Sequence, residues 1–471
     1  MAQTIPGKFL LLTTFGCLAW LNIHPFQIEI IAAAGLISYL PRYRRALLTT
    51  TSIYWVVVHP SMFDLPFIIA RTHHGQSPGT ARLLLDAWIT LAVVFSLLAL
   101  YFNAIRAKKH KLFVFRQPVA CLIIVIFALL LAAARGNPNG SASAFIWELL
   151  AVSVPYLWYF AYMLKDALAK DADRPALQFG TLLPFWGGTN VPYAKGSANL
   201  RRCEARNPQE LAIAQLKAIK LLVWTTLLRI VRFPVGLLTA HRGSAIANAI
   251  GLGGFHLGIP KLDVAIVTPN LSHTVAWLSL AVHFASALLS LSISGHVIVA
   301  CCRMAGFNIL RNTYRPLQSR TLVEFWNRYY YYFKELLVEF FFFPFFTRYF
   351  KKHLKLRVFA STLAAATFGN MIYHFLRDYR YVGQMGLWAG IAGFQTYSVY
   401  ALVLGVGIGI SQLRMLSGRK LTTVTSRWQR ALESAAVLSF FCLLEIFDQE
   451  GRTIGLSACF RFLFHLFYVP V

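Results

Sequence analysis

Long apolar blocks alternate with short polar segments along nearly the whole chain. The blocks cover residues 8–23, 26–40, 46–70, 83–105, 118–134, 144–164, 212–235, 275–300, 385–411, 431–447 and 453–469. Several reach the length of about 20 residues that an α-helix needs to cross the hydrocarbon core of a bilayer. With the aromatic stretch 321–378, they predict an all-α polytopic membrane protein of about eleven or twelve transmembrane or re-entrant helices.

Three parts of this pattern depart from simple spans. His59-Pro60 and Asp64 interrupt the block 46–70 and predict a broken helix or two short pieces. Residues 165–211 are polar and irregular, and either an ordinary loop or a segment lying against the membrane face would explain them. Glycines cluster at 243–258 and 385–411, where small residues would let helices approach closely.

Composition supports a membrane protein with a single integral-membrane domain over residues 1–471. The chain is 57% apolar and only 13% charged, whereas soluble domains carry about 25% charged residues. The polar segments are short, and the pattern shows no second domain.

The formal net charge of +27 first suggests a nucleic-acid partner, because basic surfaces bind phosphates. However, the Lys and Arg residues lie beside apolar blocks, at 42–45, 106–111, 348–357 and 414–430. This is the positive-inside pattern. We therefore expect a multi-pass protein of the bacterial cytoplasmic membrane, with the lipid bilayer as its surroundings, basic loops on the cytoplasmic side and no nucleic-acid partner.

The metal-ligating residue types show no metal-binding spacing. Seven cysteines form no CxxC pair, and thirteen histidines show no HExxH pattern. No metal site is predicted.

The stretch from Thr321 to Asp378 differs from the other blocks because ionisable residues occur within aromatic surroundings. Such groups cost about 2.5–3.5 kcal/mol each at membrane depth, so their default interpretation is functional. Placed on one helix ended by Phe343-Pro344-Phe345, the polar residues form one stripe with two polar neighbours. The stripe is Glu324, Arg328, Tyr331, Glu335 and Glu339, and the neighbours are Asn327 and Lys334.

A second helix carries Asn370, His374 and Asp378 at intervals of four residues, so the three side chains are expected on one face. His374 lies in an apolar environment, where its imidazole could act as a general base beside Asn370. The alternative is a buried histidine that only packs the helix bundle.

At these residues the chain resembles the membrane-bound O-acyltransferase family. Phe325-Trp326 match the centre of the family's helix motif, and Arg328 matches a common basic position. The segment from Glu339 to Pro344 matches an acidic, aromatic and proline-terminated run, and His374 matches the downstream histidine. Tyr330 stands where the family has a polar His or Asn, and the nearest asparagine is Asn327.

This resemblance implies a helical bundle around a central tunnel and an acyltransferase activity without a bound cofactor. His374 would activate a hydroxyl or amine that attacks an acyl thioester, carried by coenzyme A or an acyl carrier protein. Basic cytoplasmic loops would receive this anionic donor, or a partner enzyme. The resemblance implies the following site residues: His374, Asn370, Asn327 and Tyr330 as catalytic, with Trp326, Arg328, Lys334, Glu335, Glu339 and Asp378 lining or supporting the tunnel.

Two other classes of function remain open. A transporter or flippase would also need buried charges and glycine-rich helices. A non-catalytic scaffold of the same fold would bind a lipid or a partner enzyme, and Tyr330 favours this alternative.

Overall fold

A computed structural model of the chain describes residues 4–23, 27–59, 80–107, 112–136, 141–186, 190–239, 257–417, 426–449 and 453–468. These residues are mainly α-helical. The β structure among them is limited to two isolated bridges, Glu204 with Phe307 and Thr239 with Ile259. The predicted all-α class is therefore confirmed.

The α-helices of the first part of the chain are α1 (Ile5–Asn22), α2 (Gln27–Tyr39), α3 (Arg44–Val58), α4 (Thr80–Arg106), α5 (Phe113–Arg116), α6 (Pro118–Arg135), α7 (Ser141–Ser153), α8 (Leu157–Asp166), α9 (Pro175–Leu182), α10 (Ser197–Arg202), α11 (Pro208–Leu238), α12 (Leu262–Val267) and α13 (His273–Met304). Those that follow are α14 (Leu322–Tyr329), α15 (Tyr331–Leu337), α16 (Phe343–Arg348), α17 (Leu354–Leu363), α18 (Asn370–Arg377), α19 (Tyr379–Met385), α20 (Leu387–Ala392), α21 (Gln395–Leu416), α22 (Arg427–Leu444) and α23 (Leu456–Leu466).

Shorter helical pieces join some of these helices. The 3₁₀ turns are Pro41–Tyr43, Val154–Tyr156, Pro316–Gln318 and Glu445–Phe447, and the π-helical segments are Val338–Phe342 and Ala364–Gly369.

Six helical segments within the described residues are long and apolar enough to cross a membrane. They are Ala81–Arg106, Pro118–Arg135, Ser141–Asp166, Pro208–Leu238, His273–Met304 and Leu387–Leu416. The protein is thus an all-α polytopic membrane protein. The total of eleven or twelve transmembrane or re-entrant helices, and the central tunnel, stay predictions, because the remaining helices are shorter or less apolar.

Proline and polar residues account for most differences between the predicted blocks and the helices. The block 144–164 is divided by the 3₁₀ turn Val154–Tyr156, since Pro155 cannot continue the helical hydrogen bonds. Helix α3 ends at Val58, and the predicted interruption at Pro60 and Asp64 lies outside the described residues. The irregular region 165–211 contains two short helices, α9 and α10. Most of the glycine cluster 243–258 also lies outside the described residues.

The chain groups into two compact units, each made of three separated stretches. The first comprises residues 1–222, 297–310 and 376–390, and the second 223–296, 311–375 and 391–471. This division does not test the expectation of a single integral-membrane domain, which stays a prediction.

A buried arginine organises part of the first unit. Arg44 is 2% exposed and donates hydrogen bonds to the Glu204 carboxylate at 3.1 Å and to the Ala205 carbonyl at 3.2 Å. Burial lowers the pKa of Arg44, and the Glu204 carboxylate opposes that change. The pairing compensates a charge that would be costly to bury alone. Gly306, at φ +88°, leaves room for this guanidinium, since a Cβ there would lie 2.7 Å from its Nη2.

In the second unit, glycines let α21 pack closely against its neighbours. A Cβ on Gly409 would lie 2.6 Å from the Phe359 ring of α17, and one on Gly405 would overlap the Thr367 hydroxyl of the π-helical segment Ala364–Gly369. The Thr367 hydroxyl donates a hydrogen bond to the Ala401 carbonyl at 3.0 Å. The close packing predicted for the glycines of 385–411 is therefore confirmed for α21.

Gly405→Ala should destabilise the protein by about 1–3 kcal/mol, the usual cost of forcing extra atoms into a packed interface. The added methyl would displace Thr367 and its bond to Ala401. Thermal unfolding of the purified protein in detergent would measure the loss.

Gly236→Ala is the matched control, because Gly236 also lies in a helix but a Cβ there meets nothing within 4 Å. It should be neutral, or more stable by up to about 1 kcal/mol through helix propensity. Equal melting temperatures for the two variants would contradict the close approach at Gly405.

Candidate functional site

The candidate site lies within the second unit, and its first element is α14. Thr321 caps this helix by accepting the Glu324 N–H at 3.1 Å, and the Glu324 carboxylate accepts the Arg320 N–H at 2.8 Å. This arrangement is close to a capping box. Glu324 also forms the expected ion pair with Arg328 one turn later, at 2.5 Å. Both charged side chains therefore stabilise the helix itself.

The continuous helix predicted for the polar stripe is wrong, because the helix breaks at Tyr330. This residue has φ −133° and ψ 72°, and α15 begins directly after it. A neighbouring extended segment satisfies the backbone groups that the break exposes. Asn312 accepts the N–H groups of Tyr331 and Tyr332 at 3.0 and 3.2 Å, and Thr313 donates its hydroxyl to the Tyr329 carbonyl at 2.8 Å.

The remaining members of the stripe are divided by this break and by a π-helical segment. Lys334 pairs with Glu335 in α15, and its ammonium lies 4.9 Å from the centre of the Tyr331 ring. Glu339 lies in the π-helical segment Val338–Phe342. The predicted helix end at Phe343-Pro344-Phe345 is also wrong. Pro344 instead lies inside a longer helical run, because α16 follows the π-helical segment Val338–Phe342 directly and ends at Arg348.

The two π-helical segments pack on each other. A Cβ on Gly369 would lie 2.6 Å from the ring of Phe341, so only glycine fits at that contact. The second segment leads directly into α18, which begins at Asn370. π-Helical turns are rare and are frequent at functional sites. The π-helical segment Ala364–Gly369 therefore sets the point at which α18 begins.

His374 lies on α18 inside an aromatic enclosure. Its ring centre is 4.2 Å from that of Tyr397, 5.1 Å from Tyr373 and 5.8 Å from Phe333. The histidine is 9% exposed. The imidazole is therefore held between flat rings that restrict its orientation and the access of water.

Asn370 lies one turn before His374 and is fully buried. Its Oδ1 accepts the Tyr397 hydroxyl at 2.9 Å, whereas its Nδ2 has no hydrogen-bond acceptor among the described residues. Tyr397 is 1% exposed and stacks on Tyr400 at 5.0 Å. The site therefore combines an imidazole with a buried amide donor whose hydrogen-bonding capacity is not used within the described structure.

Phe333 connects the upstream residues to this enclosure. Its ring centre lies 6.0 Å from Trp326, 5.3 Å from Tyr330 and 4.7 Å from Tyr373. Trp326 and Tyr330 thus contact a ring that itself contacts His374. The family-like motif of α14 therefore lies one ring away from His374.

Two other predicted site residues are Asn327 and Asp378. Asn327 is exposed and its side chain forms no hydrogen bond with the described residues. Asp378 lies beyond the end of α18, in the first unit, and its carboxylate accepts two hydrogen bonds from Arg377 at 2.6 and 2.9 Å. The face predicted for Asn370, His374 and Asp378 stays a prediction for Asp378, because α18 ends at Arg377, directly before that residue.

A second polar cluster lies near the far end of α14. His283 approaches Glu445 at 3.4 Å. Burial, followed by the carboxylates of Glu445 and Asp448, raises the pKa of Tyr329 well above its ordinary value. The carboxylates of this cluster therefore lie close enough to Tyr329 to oppose ionisation of its hydroxyl.

Sequence reasoning missed Tyr397 and Phe333 as site residues. Tyr397 lies in a glycine-rich apolar block, and its spacing from Asn370 carries no periodic signal because the two helices are separate elements. Phe333 is one of many aromatic residues in its stretch. Only the packing distinguishes it from its neighbours.

A search of protein-family models finds none that matches this chain, and a search of curated proteins finds no match either. The resemblance to the membrane-bound O-acyltransferases therefore stays a prediction that rests on the residues quoted for it. Among the described residues, no three His, Cys, Asp or Glu side chains are grouped so that they could hold a metal ion.

Tyr397→Phe should lower the free energy of unfolding by about 1–3 kcal/mol, because the buried Oδ1 of Asn370 loses its hydrogen-bond donor. The same change in an Asn370→Ala background should cost much less, since the acceptor is already gone. Unfolding of both single variants and the double variant in detergent gives the coupling energy.

Tyr400→Phe is the control for this cycle. Tyr400 stacks on Tyr397, but its hydroxyl makes no hydrogen bond with the described residues. A coupling of zero between Tyr397 and Asn370, or an equal loss in Tyr400→Phe, would contradict the assigned hydrogen bond.

Proposed function

We propose that the protein is a membrane acyltransferase that moves an acyl group from a thioester donor to a hydroxyl or amine of an acceptor. In this proposal His374 is the general base. The neighbouring Asn370 amide is a hydrogen-bond donor to the reacting carbonyl. The donor is acyl-coenzyme A or an acylated carrier protein, and no bound cofactor takes part.

One observation carries the proposal. A buried Nδ2 that finds no acceptor among the described residues lies one helical turn from a buried imidazole. Leaving an amide donor buried and unused costs about 1–3 kcal/mol. An oxygen atom of the substrate would remove this cost by accepting a hydrogen bond from Nδ2. Side chains four residues apart on a helix have their Cβ atoms about 5–6 Å apart, which suits a base and an oxyanion donor that act on one carbonyl.

The reaction then proceeds by two coupled proton movements. The imidazole of His374 accepts the proton of the acceptor hydroxyl while the oxygen attacks the thioester carbonyl and forms the new C–O bond. The carbonyl oxygen becomes an oxyanion that accepts a hydrogen bond from Asn370 Nδ2. When the C–S bond breaks, the thiolate leaves and takes the proton from the imidazolium. Atoms and charge balance without a further reagent.

The aromatic surroundings support this chemistry rather than hydrolysis. Rings of Phe333, Tyr373 and Tyr397 pack around His374, which limits the water that could compete with the acceptor for the thioester. Tyr397 holds Asn370 Oδ1, so the amide presents its Nδ2 in a fixed orientation. The exclusion of water and the orientation of the Asn370 amide are both present before the substrate binds.

The proposal also includes a location for the protein in the cell. An anionic donor would approach the basic loops, which the positive-inside rule assigns to the cytoplasmic side. We place the protein in the bacterial cytoplasmic membrane, where a carrier protein or partner enzyme could deliver the acyl group to those loops.

His374→Ala should lower the rate of acyl transfer by about 10²–10⁴-fold, the usual contribution of a general base, and Asn370→Ala by a smaller factor. Membranes containing the protein would be incubated with radiolabelled long-chain acyl-coenzyme A or acylated carrier protein. The label transferred to membrane-derived acceptors would be counted, and release of free thiol would be followed in parallel.

His465→Gln serves as the matched histidine control, because its ring bonds the Leu271 carbonyl at 2.8 Å and stacks on His273, away from the site. It should retain the wild-type rate, and all variants should give the wild-type elution profile in detergent. Full transfer by His374→Ala would overturn the proposal.

Tyr330 favours a second candidate, a non-catalytic scaffold that binds a lipid or a partner enzyme. Its ring packs on Phe333 at 5.3 Å, so an aromatic contact occupies the place where the resemblance implies a polar partner for the base. Binding of acyl-coenzyme A without label transfer or thiol release would support this candidate over the enzyme.

A further inference from the structure

Residues 347–356 run from the end of α16 to the first turn of α17 and form the longest run of exposed residues within 257–417; they are called the basic-aromatic segment below. Its sequence is TRYFKKHLKL. Ten consecutive exposed residues that include Tyr, Phe and two Leu are unusual for a stretch that only has to connect two helices.

The cations of this segment have no local counter-charge. Arg348, Lys351, Lys352 and Lys355 form no ion pair with the described residues. The nearest acidic residues in the sequence are Glu339 and Asp378. Elsewhere in the second unit, by contrast, Arg320 pairs with Glu433 at 2.5 Å and Arg328 with Glu324. Four uncompensated positive charges close together favour an anionic partner.

Apolar side chains are interleaved with these cations. Tyr349 is 51% exposed, Phe350 44%, Leu354 56% and Leu356 45%. A soluble anion would use the charges and leave these side chains in water. A membrane surface would take both, because apolar and aromatic groups enter the boundary of the acyl chains while Lys and Arg remain at the phosphates.

Contacts at the base of the segment hold its shape. The rings of Tyr349 and Phe350 pack on Phe345 at 4.6 and 6.3 Å. The Arg357 guanidinium lies 3.7 Å from the centre of the Phe346 ring and donates a hydrogen bond to the Phe346 carbonyl at 2.5 Å. The segment is therefore presented as a formed surface, and Arg357 belongs to its support.

We propose that the basic-aromatic segment binds the phosphate groups of anionic phospholipids at the membrane surface. Interleaved apolar side chains favour lipid headgroups over free phosphate or the phosphates of coenzyme A as the partner. This inference uses none of the residues around His374, and it assigns this basic loop to lipid headgroups and not to the acyl donor.

The test is hydrogen exchange of the peptide covering residues 347–356 in the full-length protein, reconstituted in nanodiscs. Exchange should be about fivefold slower or more in discs of phosphatidylcholine with phosphatidylglycerol than in phosphatidylcholine alone. The difference should shrink at high salt, which screens the charges. The triple variant Lys351→Gln, Lys352→Gln and Lys355→Gln should abolish it.

The double variant Arg427→Gln and Arg430→Gln is the matched control, because it removes exposed cations from another part of the second unit. It should keep the slower exchange. Leu354→Ser with Leu356→Ser should weaken the protection while the cations remain, as a lipid partner requires, because both side chains are exposed. Equal exchange in both kinds of disc would overturn the proposal. Equal protection by inorganic phosphate or coenzyme A added to phosphatidylcholine discs would also overturn it and would identify a site for soluble anions.

Discussion

The close approach of α21 to α17 and the following π-helical segment is the constraint on which the candidate site depends. Gly405 and Gly409 remove the side chains that would keep these helices apart, and Thr367 uses the short distance to donate its hydroxyl to the Ala401 carbonyl. In a membrane, helix association relies on such packing and hydrogen bonds because the surrounding lipid is also apolar. The same approach brings Tyr397 of α21 against Asn370 and His374 of α18.

Departures from regular α-helix occur together in this region and each is compensated locally. The break at Tyr330 exposes backbone groups, and Asn312 and Thr313 satisfy them. The π-helical segments meet at Gly369 and Phe341, where no larger residue would fit. Irregular helix in an apolar setting is tolerated only where neighbouring groups complete the hydrogen bonds. This concentration of compensated irregularity distinguishes the region from the regular spans around it.

Polar residues of the central stretch divide into two groups with different physical roles. Glu324 with Arg328, Lys334 with Glu335 and Arg377 with Asp378 form pairs close in sequence, which neutralise one another and support the local fold. Asn370 and His374 are instead buried beside aromatic rings. The chemistry proposed for this protein therefore relies on an imidazole and an amide in an apolar enclosure, where hydrogen bonds are stronger than in water.

The sequence by itself determined the all-α membrane class, most helix positions, the glycine packing of α21 and the pair of Asn370 with His374, because these depend on local hydrophobic pattern and helical spacing. Tertiary structure decided the break at Tyr330, the continuation through Pro344 and the end of α18 at Arg377. Each of these outcomes depends on partners distant in sequence or on helix ends that a periodic pattern does not mark. The role of Tyr397 belongs to the same group, since its hydrogen bond to Asn370 joins two residues that are 27 positions apart in the chain.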